Sequence, residues 1–305
     1  LINKIYDRLT IMRHHIPIGK VNIQVFSDGE TSVDFKTSMR GKRLFLLTSP
    51  DTPLKREQLY SAIEAARRAS AVEIIPILPY FPYARQDKRD QRRGPIGARI
   101  FADILETIGA TSIITFDLHS DQIEGFFKIP VIHLRGKYLF SEFILHTSDS
   151  NTVLCSPDAG GLKRVKKIRD RIYDKYGHKM SFVSIDKTRT QVNKTDSVEI
   201  LGDVKNKDVL IIDDMCDTGG TLIKGAEALI DAGALSVRVL VTHALLSGDA
   251  NINIGASKIK QFICSDSITN KGLCADMDGK IKVISTASDL ANAIVSINVD
   301  GSISR

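Results

Sequence analysis

The sequence predicts an α/β fold in two tandem units, each a mostly parallel sheet flanked by helices. Three observations predict it. Strand-like and helix-like segments alternate nearly throughout the 305 residues, the pattern of parallel sheets covered on both faces. The strand-like runs are short and aliphatic, Val209–Ile212 above all, as expected of strands buried on both sides. The two halves also share a layout: R-L-F-L-L-T-S-P, a helix and E-I-I-P-I-L-P in the first, V-L-I-I-D-D-M, a helix and S-V-R-V-L-V-T in the second.

Taken in order, Arg43–Thr48 reads as a strand and Leu54–Ser70 as an alanine-rich amphipathic helix. Glu73–Leu78 is a strand, Ile96–Ile108 a helix and Ser112–Phe116 a strand. In the second half, Thr152–Cys155 is a strand and Leu162–Tyr176 a basic helix. Val209–Ile212, the helix Thr221–Ala232 and the strand Val237–Thr242 complete the pattern. The polar stretch T-S-D-S-N places a boundary near Thr147–Asn151, dividing the chain into 1–148 and 149–305.

Hydrophobic residues make up 43% and charged residues 26%, ordinary for a globular protein. No apolar run reaches the length of a membrane-crossing helix, and L-I-N-K-I-Y-D-R has no signal-peptide core. The four cysteines at 155, 216, 264 and 274 show no metal-ligand spacing. A secreted disulfide framework is therefore not expected, and a reducing cytoplasm is. The net charge of +6 suits nucleotides and phosphates as well as nucleic acid. The sequence begins at Leu1 rather than Met, and native residues are expected to precede it.

The segment richest in chemistry is Val209–Thr221, V-L-I-I-D-D-M-C-D-T-G-G-T. Asp213 and Asp214 are expected at the carboxyl end of a buried strand, the edge where open α/β sheets bind ligands. Gly219 and Gly220 permit a tight turn and a close approach to a ligand. Thr221 opens a helix whose first amides can hold an anion. Acids for hydroxyls beside amides for phosphate are what a sugar phosphate needs. A helix cap is the plain alternative for a lone D-D pair. No G-K-[ST] follows the glycines, so this is not a Walker A loop, and a monophosphate is the expected ligand.

Other loops at predicted strand ends carry further candidates. Phe81–Gly94, F-P-Y-A-R-Q-D-K-R-D-Q-R-R-G, sets five cations against two acids. Arginine forks suit phosphate oxygens, and a solvated charged loop is the alternative. A nucleic-acid role is disfavoured because no aromatics interleave the run. F-D-L-H-S, 116–120, points Asp117 and His119 to one face, where His119 serves a metal, a phosphate or a structural hydrogen bond. S-P-D-A-G-G, 156–161, offers Asp158 either to Mg²⁺ or to a helix start. F-S-D-G-E, 26–30, is a turn whose Phe26 either stacks on a base or simply closes a hairpin. D-K-T-R, 186–189, precedes a poorly periodic polar stretch and reads as a mobile loop or as solvated surface.

In their order along the chain, from about Val21 to the C-terminus, these motifs resemble the ribose-phosphate pyrophosphokinase family. The resemblance implies two tandem phosphoribosyltransferase-like domains, Rossmann-like in layout and assembled as hexamers built from dimers. It implies transfer of the β,γ-pyrophosphoryl group of ATP to ribose 5-phosphate, with Mg²⁺ and without nucleic acid or membrane. By resemblance, Asp213, Asp217, Thr218, Gly219, Gly220 and Thr221 hold ribose 5-phosphate, and Asp214 beside Asp213 offers the second acceptor that a vicinal diol needs. Phe26, Asp28, Gly29, Glu30, Arg85 and Gln86 are carried over to ATP, His119 and Asp158 to Mg²⁺, and Lys187 and Arg189 to the catalytic loop, with Arg189 also reaching ribose 5-phosphate. The family pattern opens with a strand and a glycine-containing turn that this sequence starts after. K-T-R-T stands where many members have K-R-R-P, and S-G-D-A at 247–250 where S-G-P-A is common. A phosphoribosyltransferase would share the 213–221 loop but would not need F-S-D-G-E or Y-A-R-Q-D.

Overall fold

The computed structural model describes residues 1–89, 91–188, 197–269, 279–299 and 301, with only the backbone of 187, 188, 197 and 198. The chain runs α1 (Ile2–Ile11), β1 (Val21–Val25), β2 (Thr31–Phe35), β3 (Arg43–Leu47), α2 (Pro53–Arg68), β4 (Glu73–Leu78), α3 (Gly97–Ile108), β5 (Ile113–Phe116), a 3₁₀ turn (Asp121–Phe126) and β6 (Val131–Leu134). It continues with α4 (Gly136–Thr147), β7 (Thr152–Ser156), α5 (Leu162–Tyr176), β8 (Ser181–Thr188), β9 (Ser197–Leu201), β10 (Asp208–Cys216), α6 (Gly220–Asp231), β11 (Ser236–Ala244), α7 (Ala250–Ala256), β12 (Gln261–Ser265), β13 (Ile281–Ile284) and α8 (Ala287–Asn298). Two compact units form, Leu1–Arg135 with Ser285–Arg305, and Gly136–Ile284. This division differs from 148/149. The polar T-S-D-S-N stretch is only the turn from α4 to β7, and α4 packs on α5 within the second unit. Helix α8 returns to pack on α1 in the first.

The first unit holds a parallel sheet in the order β3-β4-β5-β6 and a separate antiparallel hairpin, β1-β2. Pro53 at the first turn and Thr52, whose hydroxyl accepts from the Lys55 N–H at 3.3 Å, start α2. Ile75, Ile77 and Ile114 bury one sheet face beneath Ile5 and Leu9 of α1 and Leu290, Ala291 and Ile294 of α8.

The second unit is a seven-stranded sheet in the order β13-β12-β11-β10-β7-β8-β9, parallel except for β8-β9. Strand β10 explains why its sequence is uninterrupted. Val209 and Ile211 lie in the core with Leu222, Ala226 and Leu229 of α6, while Leu210 and Ile212 lie in the core with Val165, Ile168 and Ile172 of α5. All four are fully buried, each contributing about 1.5–3 kcal/mol of hydrophobic stabilisation. The two half-sequences with one layout become β3-α2-β4 and β10-α6-β11, each a pair of neighbouring parallel strands.

The same topology creates a divergence. From β7 the chain crosses through α5 to β8 on one side; from β10 it crosses through α6 to β11 on the other. Helices α5 and α6 cover opposite faces. The carboxyl ends of β7 and β10 therefore flank a topological switch point, where a doubly wound sheet opens a crevice.

Candidate active site

Strand β10 is longer than its aliphatic run suggests. Its pairing with β7 ends at Ile211, opposite Cys155, but pairing with β11 continues through Asp213, Met215 and Cys216. The acids stand on the stretch of β10 that has outrun β7, at the mouth of the crevice. Asp214 is buried and Asp213 partly so. The Asp213 carboxylate accepts the Asp214 N–H at 2.9 Å. Burial, followed by the neighbouring Asp214 carboxylate, pushes the Asp213 carboxyl above the usual carboxylate range. Arg164 in the first turn of α5 opposes that shift, with its guanidinium 3.6 Å from Asp214. Two adjacent carboxylates suit a ligand bringing a vicinal diol or a cation.

The loop after β10 turns at Gly219, whose φ of +79° is left-handed. A Cβ there would lie 3.3 Å from Ile254, tighter than ordinary packing. Gly219, which has no side chain, is the N-cap of α6, and the first turn of that helix carries no acid. Such a start suits an anion, because helix-terminal N–H groups and the dipole both favour negative charge. Thr218, Gly220 and Thr221 border this turn, and Asp217 beside them is partly buried. The following loop is pinned to it: the Ser247 N–H donates to the Asp217 carbonyl at 3.0 Å, and the Leu245 N–H to the Cys216 carbonyl at 2.9 Å. In S-G-D-A, Asp249 is the N-cap of α7, and its side chain makes no capping hydrogen bond. Cys216 is buried, and burial pushes its thiol up to about 12, so it is no nucleophile.

Across the switch point, Asp158 is exposed. One of its carboxylate oxygens accepts the Gly161 N–H at 2.8 Å, just ahead of α5. The turn-forming role is thus present, and the second oxygen is oriented by it. Sequence reasoning missed Arg164, hidden among the many cations of α5. It also missed a buried polar group at this edge of the sheet, His243, which is paired in register with Met215 and lies 2.9 Å from the Ser267 hydroxyl.

In the first unit, Phe26, Asp28, Gly29 and Glu30 form the turn of the β1-β2 hairpin. The Phe26 N–H donates to the Glu30 carbonyl at 2.8 Å, and the Glu30 N–H to the Asp28 carboxylate at 3.0 Å. Gly29 takes a φ of +94°. Phe26 remains 46% exposed, so the turn explains the backbone and leaves the ring accessible. Arg85 and Gln86 are exposed in the loop after β4, and Gln86 fixes that loop to α3: its carbonyl accepts the Ala98 N–H at 3.2 Å. His119 is exposed in the loop after β5, and Asp117 is buried with a φ of +49°. Lys187 lies in β8 opposite Val198, so the strand extends further than the loop expected at 186–189. Arg189 lies outside the described residues.

A family model described as the N-terminal domain of ribose phosphate pyrophosphokinase matches residues 1–109, and one described as the phosphoribosyl transferase domain matches residues 124–277. A ribose-phosphate pyrophosphokinase of Porphyromonas gingivalis is 39% identical over 281 residues, covering 91% of this chain and 86% of the relative. The chain belongs to the ribose-phosphate pyrophosphokinase family. A second family member, from Vibrio parahaemolyticus, is 39% identical over 308 residues, covering 100% of this chain and 94% of its own length. The crystal structure of phosphoribosylpyrophosphate synthetase from Mycobacterium smegmatis superposes with a TM-score of 0.86 at 32% identity, covering 98% and 96% of the two chains. The fold is therefore that of ribose-phosphate pyrophosphokinases, with two phosphoribosyltransferase-type domains of mostly parallel sheets flanked by helices.

Among the described residues, Asp121, Glu124 and His133 form one group with potential metal-ligand spacing. It does not fit a cation. Arg135 already pairs with Asp121 and with Glu124, and both His133 ring nitrogens are engaged, by Leu118 and Glu124. No described helix is long and apolar enough to cross a membrane.

Proposed function

We propose that this chain is a ribose-phosphate diphosphokinase, transferring the β,γ-pyrophosphoryl group of ATP to the C1 hydroxyl of ribose 5-phosphate and yielding 5-phosphoribosyl 1-pyrophosphate and AMP. The observation that carries this reading is the switch-point crevice, where the Asp213–Asp214 pair stands beside the glycine-capped start of α6. The acceptor sugar needs both. Its 2- and 3-hydroxyls donate to the paired carboxylates, and its 5-phosphate takes the amides and hydroxyls of Thr218–Thr221, with Asp217 alongside. The bound phosphate is spectator rather than reactant, which is why no Walker lysine is required.

The donor groups come from first-unit loops: Phe26 for the base, Asp28, Gly29 and Glu30 around it, and Arg85 and Gln86 for the phosphates. The anomeric hydroxyl attacks the β-phosphorus in line and AMP leaves, so positioning and charge neutralisation dominate. Lys187 and Arg189 neutralise charge developing on the transferred group. Mg²⁺, when bound, would supply charge neutralisation for the transferred diphosphoryl group. His119 and Asp158 are the residues proposed to hold it; both are exposed, and the Asp158 carboxylate is oriented by the Gly161 N–H. A cytoplasmic location and assembly as a hexamer built from dimers belong to the same reading, the latter tested by sizing with and without phosphate.

Incubation with Mg-ATP and ribose 5-phosphate tests the proposal. Release of AMP supports it; release of ADP means γ-phosphoryl transfer and contradicts it.

A further inference from the structure

The loop that leaves β5 carries His119, and its backbone needs an explanation. Asp117 sits at a φ of +49°, uncommon for a residue with a side chain. Strand pairing ends at Phe116, opposite Leu134, and the Asp117 N–H donates to the Leu134 carbonyl at 2.7 Å. Beyond this point the backbone has left the sheet. The next amide, Leu118, is held by a side chain instead. It donates to Nε2 of His133, one residue before Leu134 on β6, at 2.9 Å.

That contact fixes the chemistry of the ring. A backbone N–H can only donate, so Nε2 must carry a lone pair and the proton must reside on Nδ1. Nδ1 lies 2.6 Å from the Glu124 carboxylate, which accepts that proton in a hydrogen bond. Arg135 holds Glu124 at 3.1 Å and also pairs with Asp121. The two acids lie on the 3₁₀ turn between β5 and β6. The His133 side chain is 4% exposed, and burial lowers its pKa, favouring the neutral ring this geometry requires. The motif V-I-H-L otherwise reads as an ordinary apolar strand.

We propose that His133 is a positioning residue: its Nε2, with its tautomer set by Glu124 and Arg135, anchors the Leu118 amide and so aims His119, the adjacent residue. The inference rests on the reading of His119 as a group serving Mg-ATP. A buried histidine engaged at both nitrogens costs the chain a desolvated polar ring. In return, it replaces the sheet as partner for Leu118, the loop amide that follows the last one bonded to a β6 carbonyl.

Amide substitutions separate the two contacts. In His133→Gln the side-chain oxygen falls near the position of Nε2 and still accepts from Leu118. In His133→Asn the amide nitrogen falls near Nδ1 and retains only the Glu124 contact. His133→Leu keeps neither. The full chain is assayed with Mg²⁺, ATP and ribose 5-phosphate varied in turn, and Leu118 amide exchange is measured by NMR against Thr115 in β5.

The expected result is that His133→Leu and His133→Asn raise the apparent KM for Mg-ATP about tenfold, the size of one hydrogen bond. The KM for ribose 5-phosphate stays unchanged, Leu118 exchange quickens about tenfold relative to Thr115, and His133→Gln restores both readouts. A merely structural histidine would lower kcat together with thermal stability and leave both KM values alone, which overturns the proposal. So does unchanged Leu118 exchange in His133→Leu. If the wild-type protein releases no AMP, the functional reading fails by itself, and the exchange measurement still decides whether His133 anchors the loop.

Discussion

The guanidinium of Arg164 lies 3.6 Å from the carboxylate of Asp214. The contact joins the start of α5 to the end of β10, the two elements that border the switch-point crevice. It places one cation against two adjacent carboxylates, which would otherwise repel each other in a partly buried setting. Burial and the neighbouring Asp214 carboxylate raise the Asp213 carboxyl, and Arg164 opposes that shift.

Replacing Arg164 should disturb that balance in a defined direction. Arg164 holds the Asp213 carboxyl down against burial and Asp214. In Arg164→Gln the pair keeps its proton to higher pH, so the acidic limb of the kcat/KM profile for ribose 5-phosphate moves upward. The profile of the wild-type and variant enzymes measures this; coincident limbs would dissociate Arg164 from the pair.

Asp213→Asn should trade activity for stability. Losing a donor or acceptor aimed at the reacting ligand commonly costs about 10²–10³-fold in rate, and a loss of that size is expected here. Because the folded-state pKa of Asp213 is raised, the stability linked to its protonated form is complete below the unfolded carboxylate value, about pH 4. It is lost as pH rises from there through the raised folded value. The ligand-free variant, which mimics the protonated side chain, should therefore gain in Tm over the wild type as pH increases. Thermal denaturation on the acidic and the alkaline side of neutrality checks the sign.

Gly219→Ala should be felt twice. A non-glycine residue in the left-handed region costs roughly 1–2 kcal/mol, and the new Cβ would press on Ile254. The expected outcome is a lower Tm with a raised KM for ribose 5-phosphate, since the distorted turn starts α6. Steady-state kinetics with ATP and the sugar varied separately would locate the defect.

Cys155, Cys216 and Cys264 should resist alkylation in the folded protein. All three are buried, and burial pushes each thiol up to about 12. Site-resolved mass spectrometry after maleimide treatment should find them labelled only after denaturation.

Much of this was legible in the sequence where the signal is local. The β10 run alternates between two cores, one against α6 and one against α5, so every residue from Val209 to Ile212 must be apolar. The acids and Gly219 follow at once, and their chemistry is readable from their order. What escaped depends on long-range packing. Arg164 sits among cations in a helix whose sequence does not say which of them turns toward β10. His133 looks like one polar residue in an apolar strand, and its partners come from two preceding loop segments. Helix α8 returns to α1 from the far end of the chain, a contact no local periodicity encodes. The hairpin turn at Phe26–Glu30 was readable as a turn, while its accessible ring became evident only from the 46% exposure.

In the proposed reaction the acceptor's 5-phosphate rests unreacted at α6 while a diphosphoryl group is added elsewhere on the sugar. A ³¹P NMR spectrum of one reaction mixture, containing Mg²⁺, ATP, ribose 5-phosphate and the full chain, tests this most directly. AMP should grow in together with a coupled diphosphoryl pair on the sugar and a retained 5-phosphate monoester. Accumulation of ADP with a second sugar phosphomonoester would contradict it.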